Sequence, residues 1–151
     1  MPHKELPPGE IHKMLTEEKV GRLATLGGDG PYIIPMCFVW DNNVLYLHSR
    51  PKGTKIDNII SNPSICFEIS RVDKWLPREK PCAYSINYRS VQVFGKARIL
   101  PQGEEKVRAL NLLSEKYLGG APFEAVSPKA AAAAAVIKIP AEHVSGRQNN
   151  G

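Results

Sequence analysis

Val20-Gly21-Arg22-Leu23-Ala24-Thr25-Leu26, Gly27-Gly28-Asp29-Gly30, Tyr32-Ile33-Ile34-Pro35-Met36-Cys37-Phe38-Val39-Trp40, Asp41-Asn42-Asn43 and Val44-Leu45-Tyr46-Leu47-His48-Ser49 follow one another almost without a break. The apolar runs are short and bounded by Gly, Asp and Asn, the pattern of strands closed by tight turns. Links this short force antiparallel pairing, because parallel neighbours need a crossover of about a dozen residues or more. A β-meander is expected. Pro35 removes a ladder donor from the second run, so its position belongs at an edge or a bulge, where backbone groups stay free for a ligand.

Ahead of the meander, Glu10 to Glu18 carries Ile11, Met14 and Leu15 on one face and reads as a short amphipathic helix. Behind it, Lys55 to Ser61 repeats Ile56, Ile59 and Ile60 at helical spacing, with Thr54 or Ser49 as its cap and Asn62-Pro63 as its end. Ser64 to Ser70 reads as a strand, and Arg71 to Pro81 as a charged, Pro-containing loop with Trp75 in it. The longest strand pattern, Tyr88 to Leu100, puts Val91, Val93, Gly95, Ala97 and Ile99 on one face, with Gly95 marking a bulge or bend. Glu104 to Tyr117 is a helix with Val107, Leu110, Leu113 and Tyr117 inward, stopped by Gly119-Gly120. Ala130 to Ala135 fits a helix or the start of the last strand, Val136 to Ile139, before a polar tail. The expected fold is mainly β, of the α+β class: a six-stranded antiparallel barrel, closed or partly split, with flanking helices. It forms one domain over residues 1–151, with its core at about 10–146.

Between the third strand and its helix, Ser49-Arg50-Pro51-Lys52-Gly53-Thr54-Lys55 crowds hydroxyls and cations around a helix start, an arrangement suited to phosphate. Lysines around a turn are more often solvated surface, and no Gly-x-x-x-x-Gly-Lys or Gly-x-Gly-x-x-Gly pattern points to a nucleotide fold. The net charge of +5 favours acidic partners without choosing among them. Cys37, Cys66 and Cys82 form no Cys-x-x-Cys pair, so neither a disulfide framework nor zinc is indicated, and Cys37 and Cys66 read as buried thiols. No segment has the length and apolarity of a membrane span or signal region, which points to a soluble, cytoplasmic protein. No serine elbow, zinc helix or carboxylate pair appears, a pattern that favours chemistry lodged in a bound cofactor. His48 at its strand end is either structural or ligand-facing, and Tyr88-Arg89-Ser90 offers a ring, a fork of donors and a hydroxyl to a planar anion.

Several segments together carry a resemblance: Pro35 to Val39; Leu45 to Ser49 with Gly53 and Lys55; Asn62-Pro63 with Cys66-Phe67-Glu68; Tyr88-Arg89-Ser90-Val91 with Phe94-Gly95-Lys96-Ala97; and Val136 to Ile139 with Ser145-Gly146-Arg147. From about Glu10 to Gly146 the chain resembles the FMN-binding split-barrel superfamily typified by pyridoxamine 5′-phosphate oxidase, and is most similar to its nitroimidazole-resistance branch. The resemblance implies a homodimer with two FMN molecules at the subunit interface. Lys55 with Ser49 and Thr54 would hold the phosphate, the backbone of Pro35, Met36, Cys37 and Phe38 would lie against the isoalloxazine, and His48 would sit near it. Tyr88, Arg89 and Ser90 would complete the site, from the partner chain in one version. The arginine- and tryptophan-containing C-terminal segment of a true pyridoxamine 5′-phosphate oxidase is missing, so that reaction is not expected. Three functions compete: an FMN-dependent oxidoreductase serving a small electron donor and a small acceptor such as a nitroaromatic or quinone, with His48 as a candidate catalytic group; a flavin-, F420- or haem-binding module without turnover; and, ranked last, a basic nucleic-acid-binding barrel using Arg71, Lys74, Trp75, Arg78 and Lys80.

Overall fold

The computed structural model describes residues 3–151. In chain order the elements are β1 (Lys4–Glu5), α1 (Pro8–Glu17), β2 (Gly21–Gly27), β3 (Gly30–Met36), β4 (Val39–Asp41), β5 (Val44–Ser49), α2 (Thr54–Ser61), β6 (Ser64–Leu76), β7 (Ser85–Lys96), β8 (Arg98–Ile99), α3 (Glu104–Leu118), α4 (Pro128–Ala133) and β9 (Ala135–Asn149). Every strand pairing is antiparallel, in the order β3-β2-β6-β7-β9-β5-β4, with β1 and β8 also on β9.

That order has one geometric consequence. β3 and β4 are consecutive in the chain yet lie at opposite edges of the sheet, with only Cys37 and Phe38 between them. Two intervening residues let the edges stand no more than roughly 11 Å apart. The sheet must therefore curl until its ends nearly meet, leaving a barrel split along the β3–β4 seam. Pro35 does lie on an edge strand, where its missing N–H costs no ladder bond. The expected single strand Tyr32 to Trp40 is broken at Cys37 and Phe38, because the chain must cross the split there.

Inside the barrel, Leu23, Phe38, Leu45, Leu47, Phe67, Ile69, Val91, Val93, Ile137 and Ile139 form the main core, closed off by Met14 and Leu15 of α1 and Ile56 and Ile59 of α2. A second core forms on the outside of the same wall, where Val39, Tyr46 and Val136 pack against Ala109, Leu110 and Leu113 of α3 and Ala131 of α4. β5 is thus buried on both faces, which is why its apolar run is nearly continuous. At Gly95 the β7–β9 register slips, and a Cβ there would sit 2.4 Å from the Pro140 carbonyl oxygen, so only glycine permits the bend.

Several expectations need correction. Among the described residues there are nine strands where six were expected, because pairing with β9 recruits the short segments β1 and β8 and the second run divides in two. The polar tail after Ile139 is the rest of β9: main-chain pairing with β7 holds it to Asn149 whatever its side chains. Most of the expected Arg71–Pro81 loop is strand, since β6 continues to Leu76 opposite Ser85. Ile60 is 73% exposed rather than inward. Cys37 and Cys66 are only half-buried. The alanine run resolves both ways, helical to Ala133 and then strand from Ala135.

Candidate functional site

At the end of β5, the Ser49 hydroxyl donates to the Arg50 carbonyl at 2.6 Å and so does not cap α2. Thr54 does not cap it either; the N-cap is Gly53, whose φ of 133° and ψ of 177° lie in a region open essentially to glycine alone. No side chain satisfies the helix start, so the first amides of α2, from Thr54 onward, open to the surroundings at the positive end of the helix. Arg50 and Lys52 stand exposed beside them and Lys55 is half-buried. The helix is held firmly at this height. Its buried Asn58 donates to the Thr25 hydroxyl of β2 at 3.0 Å, while Ile56 and Ile59 enter the main core. The result is a fixed, uncapped, cationic helix start.

Next to it, His48 looks from the end of β5 into a cavity of about 310 Å³, which it lines with Cys37, Leu110, Leu113, Ser114, Tyr117, Leu118 and Val126. The strand break forms one wall and α3 the other. Tyr117 ties the two together: its hydroxyl accepts from the Phe38 amide at 2.8 Å, with the Lys19 and Phe38 carbonyls at 2.8 and 3.0 Å for its single proton. Burial pushes its ionisation up to about 12, so it stays a neutral linker at any working pH. The Phe38 amide is therefore engaged within the chain, which leaves Cys37, outside both ladders, as the irregular point of the break. The Lys116 ammonium sits 3.6 Å from the centre of the Phe38 ring. Burial lowers its ionisation to about 8.

Tyr88, Arg89 and Ser90 lie far along the sheet from this loop. Ser49 pairs with Ala135 at the start of β9, whereas Tyr88, Arg89 and Ser90 pair with Asn149, Gln148 and Arg147 at its end. Each is already engaged within the chain. Arg89 forms a fork on Asp73 at 2.7 and 2.9 Å and reaches Glu10 at 3.3 Å, Ser90 donates to Glu68, and the Tyr88 hydroxyl meets His3 at 3.0 Å. The Arg89 fork holds the Asp73 carboxyl below its usual range. Within one protomer the two halves of the expected site do not meet.

The outer face of the sheet carries a row of another kind. Ile33, Ala24, Cys66 and Phe94 lie directly opposite one another across β3, β2, β6 and β7, and Phe94 lies opposite His143. Ile33 is 64% exposed, with Leu26 at 47% and Phe94 at 37% nearby. Contiguous apolar surface is the kind from which protein contacts, membrane contacts and ligand grooves are built. A larger cavity, about 640 Å³ between α3 and α4, lies elsewhere, and its one cation, Arg108, is committed to Asp41 at 2.6 Å. Among the described residues no group of His, Cys, Asp or Glu could hold a metal ion, and no helix is long and apolar enough to cross a membrane.

Lys116 escaped the sequence reading, although it follows Leu113 by one helical turn and adjoins Tyr117, which marked it as the flank of an inward face.

Residues 7–148 match the family model described as pyridoxamine 5′-phosphate oxidase. Among solved structures, a candidate 5-nitroimidazole antibiotic resistance protein from Bacteroides thetaiotaomicron VPI-5482 superposes with a TM-score of 0.82 at 27% identity, covering 98% of this chain and 89% of that one. A FAD-binding protein from Mesorhizobium loti superposes with a TM-score of 0.73 at 25% identity, over 99% of this chain and 100% of that one. An uncharacterized protein of Rhizobium meliloti (strain 1021), RA0666, is 35% identical over 111 residues, 71% of this chain and 66% of that relative's length.

Proposed function

The chain belongs to the pyridoxamine 5′-phosphate oxidase family of split barrels, and from that premise we propose that it is a homodimeric flavoprotein that holds FMN and passes electrons from a small reduced donor to a small acceptor such as a nitroaromatic or quinone. The observation that carries the reading is the uncapped start of α2, shaped by Gly53 and flanked by Arg50, Lys52 and Lys55, a few residues along the chain from His48, which lines the cavity. An orphaned helix start with three cations fits a phosphate monoester. The break at Cys37, sandwiched between cavity and core, fits a flat ring laid against backbone.

When bound, the flavin supplies the two-electron chemistry, and the protein supplies position and field. Lys55 and the α2 amides anchor the phosphate by charge-assisted hydrogen bonds. His48, exposed at the cavity mouth, is the one imidazole placed to donate to a ligand there or to exchange a proton with it. Leu110, Leu113, Leu118 and Val126 make that wall apolar.

Dimerisation is supported by the row Ile33, Ala24, Cys66 and Phe94, exposed at Ile33 and Phe94 and half-buried between them. It would also explain how Tyr88, Arg89 and Ser90, remote from the loop of their own chain, come to serve the loop of a partner. The candidate resistance protein of Bacteroides and the FAD-binding protein of Mesorhizobium point the same way for acceptor and cofactor class.

The test is reconstitution. Purified protein mixed with FMN or FAD and passed over a desalting column is expected to retain a yellow band containing FMN, and the loaded protein to oxidise a reduced nicotinamide in the presence of a quinone or nitroarene. Retention without turnover would leave a carrier, retention of FAD alone would replace the cofactor, and a colourless eluate would overturn the reading.

A further inference from the structure

Buried ammonium groups are rare because burial without a partner disfavours the charged form. Lys116 is such a case. Its Nζ is shut off from solvent and has no hydrogen-bond partner among the described residues. It lies 3.6 Å from the centre of the Phe38 ring, whose own exposure is 0% and whose far side meets Phe67 edge-on at 5.0 Å. The neighbouring Tyr117 hydroxyl accepts from the Phe38 amide, and Lys19 locks the end of α3 by donating from its Nζ to the Lys116 carbonyl. The ammonium thus rests against the Phe38 ring, with the Tyr117 ring 5.5 Å away.

The ionisable surroundings are few. From the end of α1 come Glu17, Glu18 and Lys19, of which Glu18 is spent on Arg71; from the strand break comes Cys37; from α3 itself come Glu115 and Tyr117. β4 contributes only Val39 and Trp40. None of them neutralises the amine by contact, so its field runs through Phe38 toward the strand break.

We propose that Lys116 is a positioning residue for the cofactor site: its sealed ammonium, acting through the Phe38 ring and the Cys37–Phe38 peptide, holds the reduced form of a bound flavin more tightly than the oxidised form. This rests on the reading that FMN lies against the β3–β4 break. A positive charge behind that backbone favours the state of the cofactor that carries more negative charge. Because burial brings the amine's ionisation to about 8, the assistance is present at pH 7 and fades above pH 8, where the amine becomes neutral.

The experiment is a reductive titration of FMN-loaded protein against a reference dye at pH 6.5 to 9.5, with Lys116→Met and Lys116→Arg beside wild type. Wild type is expected to prefer reduced flavin roughly threefold to tenfold more than Lys116→Met at pH 7, up to about 30 mV for a two-electron couple, with the gap closing by pH 9.5. Lys116→Arg is expected to keep the preference across the whole range. Identical curves for wild type and Lys116→Met would overturn the proposal while leaving FMN binding intact, whereas wild type that takes up no flavin would overturn both. A second readout needs no cofactor. The sealed charge should make Lys116→Met melt higher than wild type at pH 7, with the difference shrinking as pH rises from 8 toward 10.5, because over that span the unfolded chain binds the proton the folded chain has released. A difference that does not change with pH would contradict a sealed ammonium.

Discussion

The two ends of β9 are built on opposite plans. Where β9 begins, beside Ser49, the chain leaves a helix start uncapped and three cations around it without assigned partners. Where it ends, beside Ser90, a set of charged and hydroxyl side chains is paired within the chain: Arg89 with Asp73 and Glu10, Ser90 and Arg22 with Glu68, Arg71 with Glu18. The first end is poised to receive an anion and the second is already satisfied. On the proposed reading, a lone protomer supplies half of the site, and a second copy would bring its Tyr88–Ser90 face to the open loop.

The largest expected effect separating the two ends is on ligand affinity. Lys55→Ala should cost about 1.5–3 kcal/mol of FMN binding, roughly ten- to a hundred-and-fiftyfold in Kd, by removing a charge-assisted contact. The melting temperature of the apoprotein should hardly move. Isothermal titration and thermal denaturation check both halves, and an unchanged Kd would show that the phosphate lies elsewhere.

A smaller and inverted effect is expected at the satisfied end. Arg89→Ala should lower the stability of the apoprotein by up to about 1 kcal/mol, the range of partly exposed ion pairs. The pH dependence has a definite sign. Asp73 is held below its usual carboxyl range by Arg89, so this contribution is complete above about pH 4, is lost as pH falls below that, and the wild-type and Arg89→Ala melting curves should converge in acid. A gap that persisted at pH 2 would mean that Arg89 stabilises by packing.

The smallest expected effect lies beyond the satisfied end, on the β6–β7 extension. Trp75 is 73% exposed, so Trp75→Ala should change monomer stability by less than about 0.5 kcal/mol. The informative measurement is the tryptophan emission maximum with rising protein concentration: a blue shift would place the indole at a subunit contact, and no shift would leave it in water.

The open end was legible in the sequence because its signals are local. Val44 to Leu47 is a short apolar run leading into the turn that follows, and the glycine, hydroxyls and lysines that shape the helix start are neighbours in the chain. The satisfied end was not, because its partners are far apart: Arg89 meets Glu10 across the molecule, and the tail after Ile139 becomes strand mainly by pairing with β7. Nothing local announces such pairings. The cap went to Gly53 rather than to Thr54 or Ser49 because the chain must enter α2 through a backbone geometry that residues with a Cβ avoid. Likewise, Lys116 looks like a surface residue on α3 until the Tyr117 bridge draws that helix against Phe38.

Native mass spectrometry of protein incubated with FMN tests the central claim most directly. The account predicts a dimer of 16.7 kDa chains carrying one FMN per chain, and Lys55→Ala as the same dimer stripped of flavin under gentle activation. A monomer that binds FMN by itself, or a dimer that binds none, would contradict it.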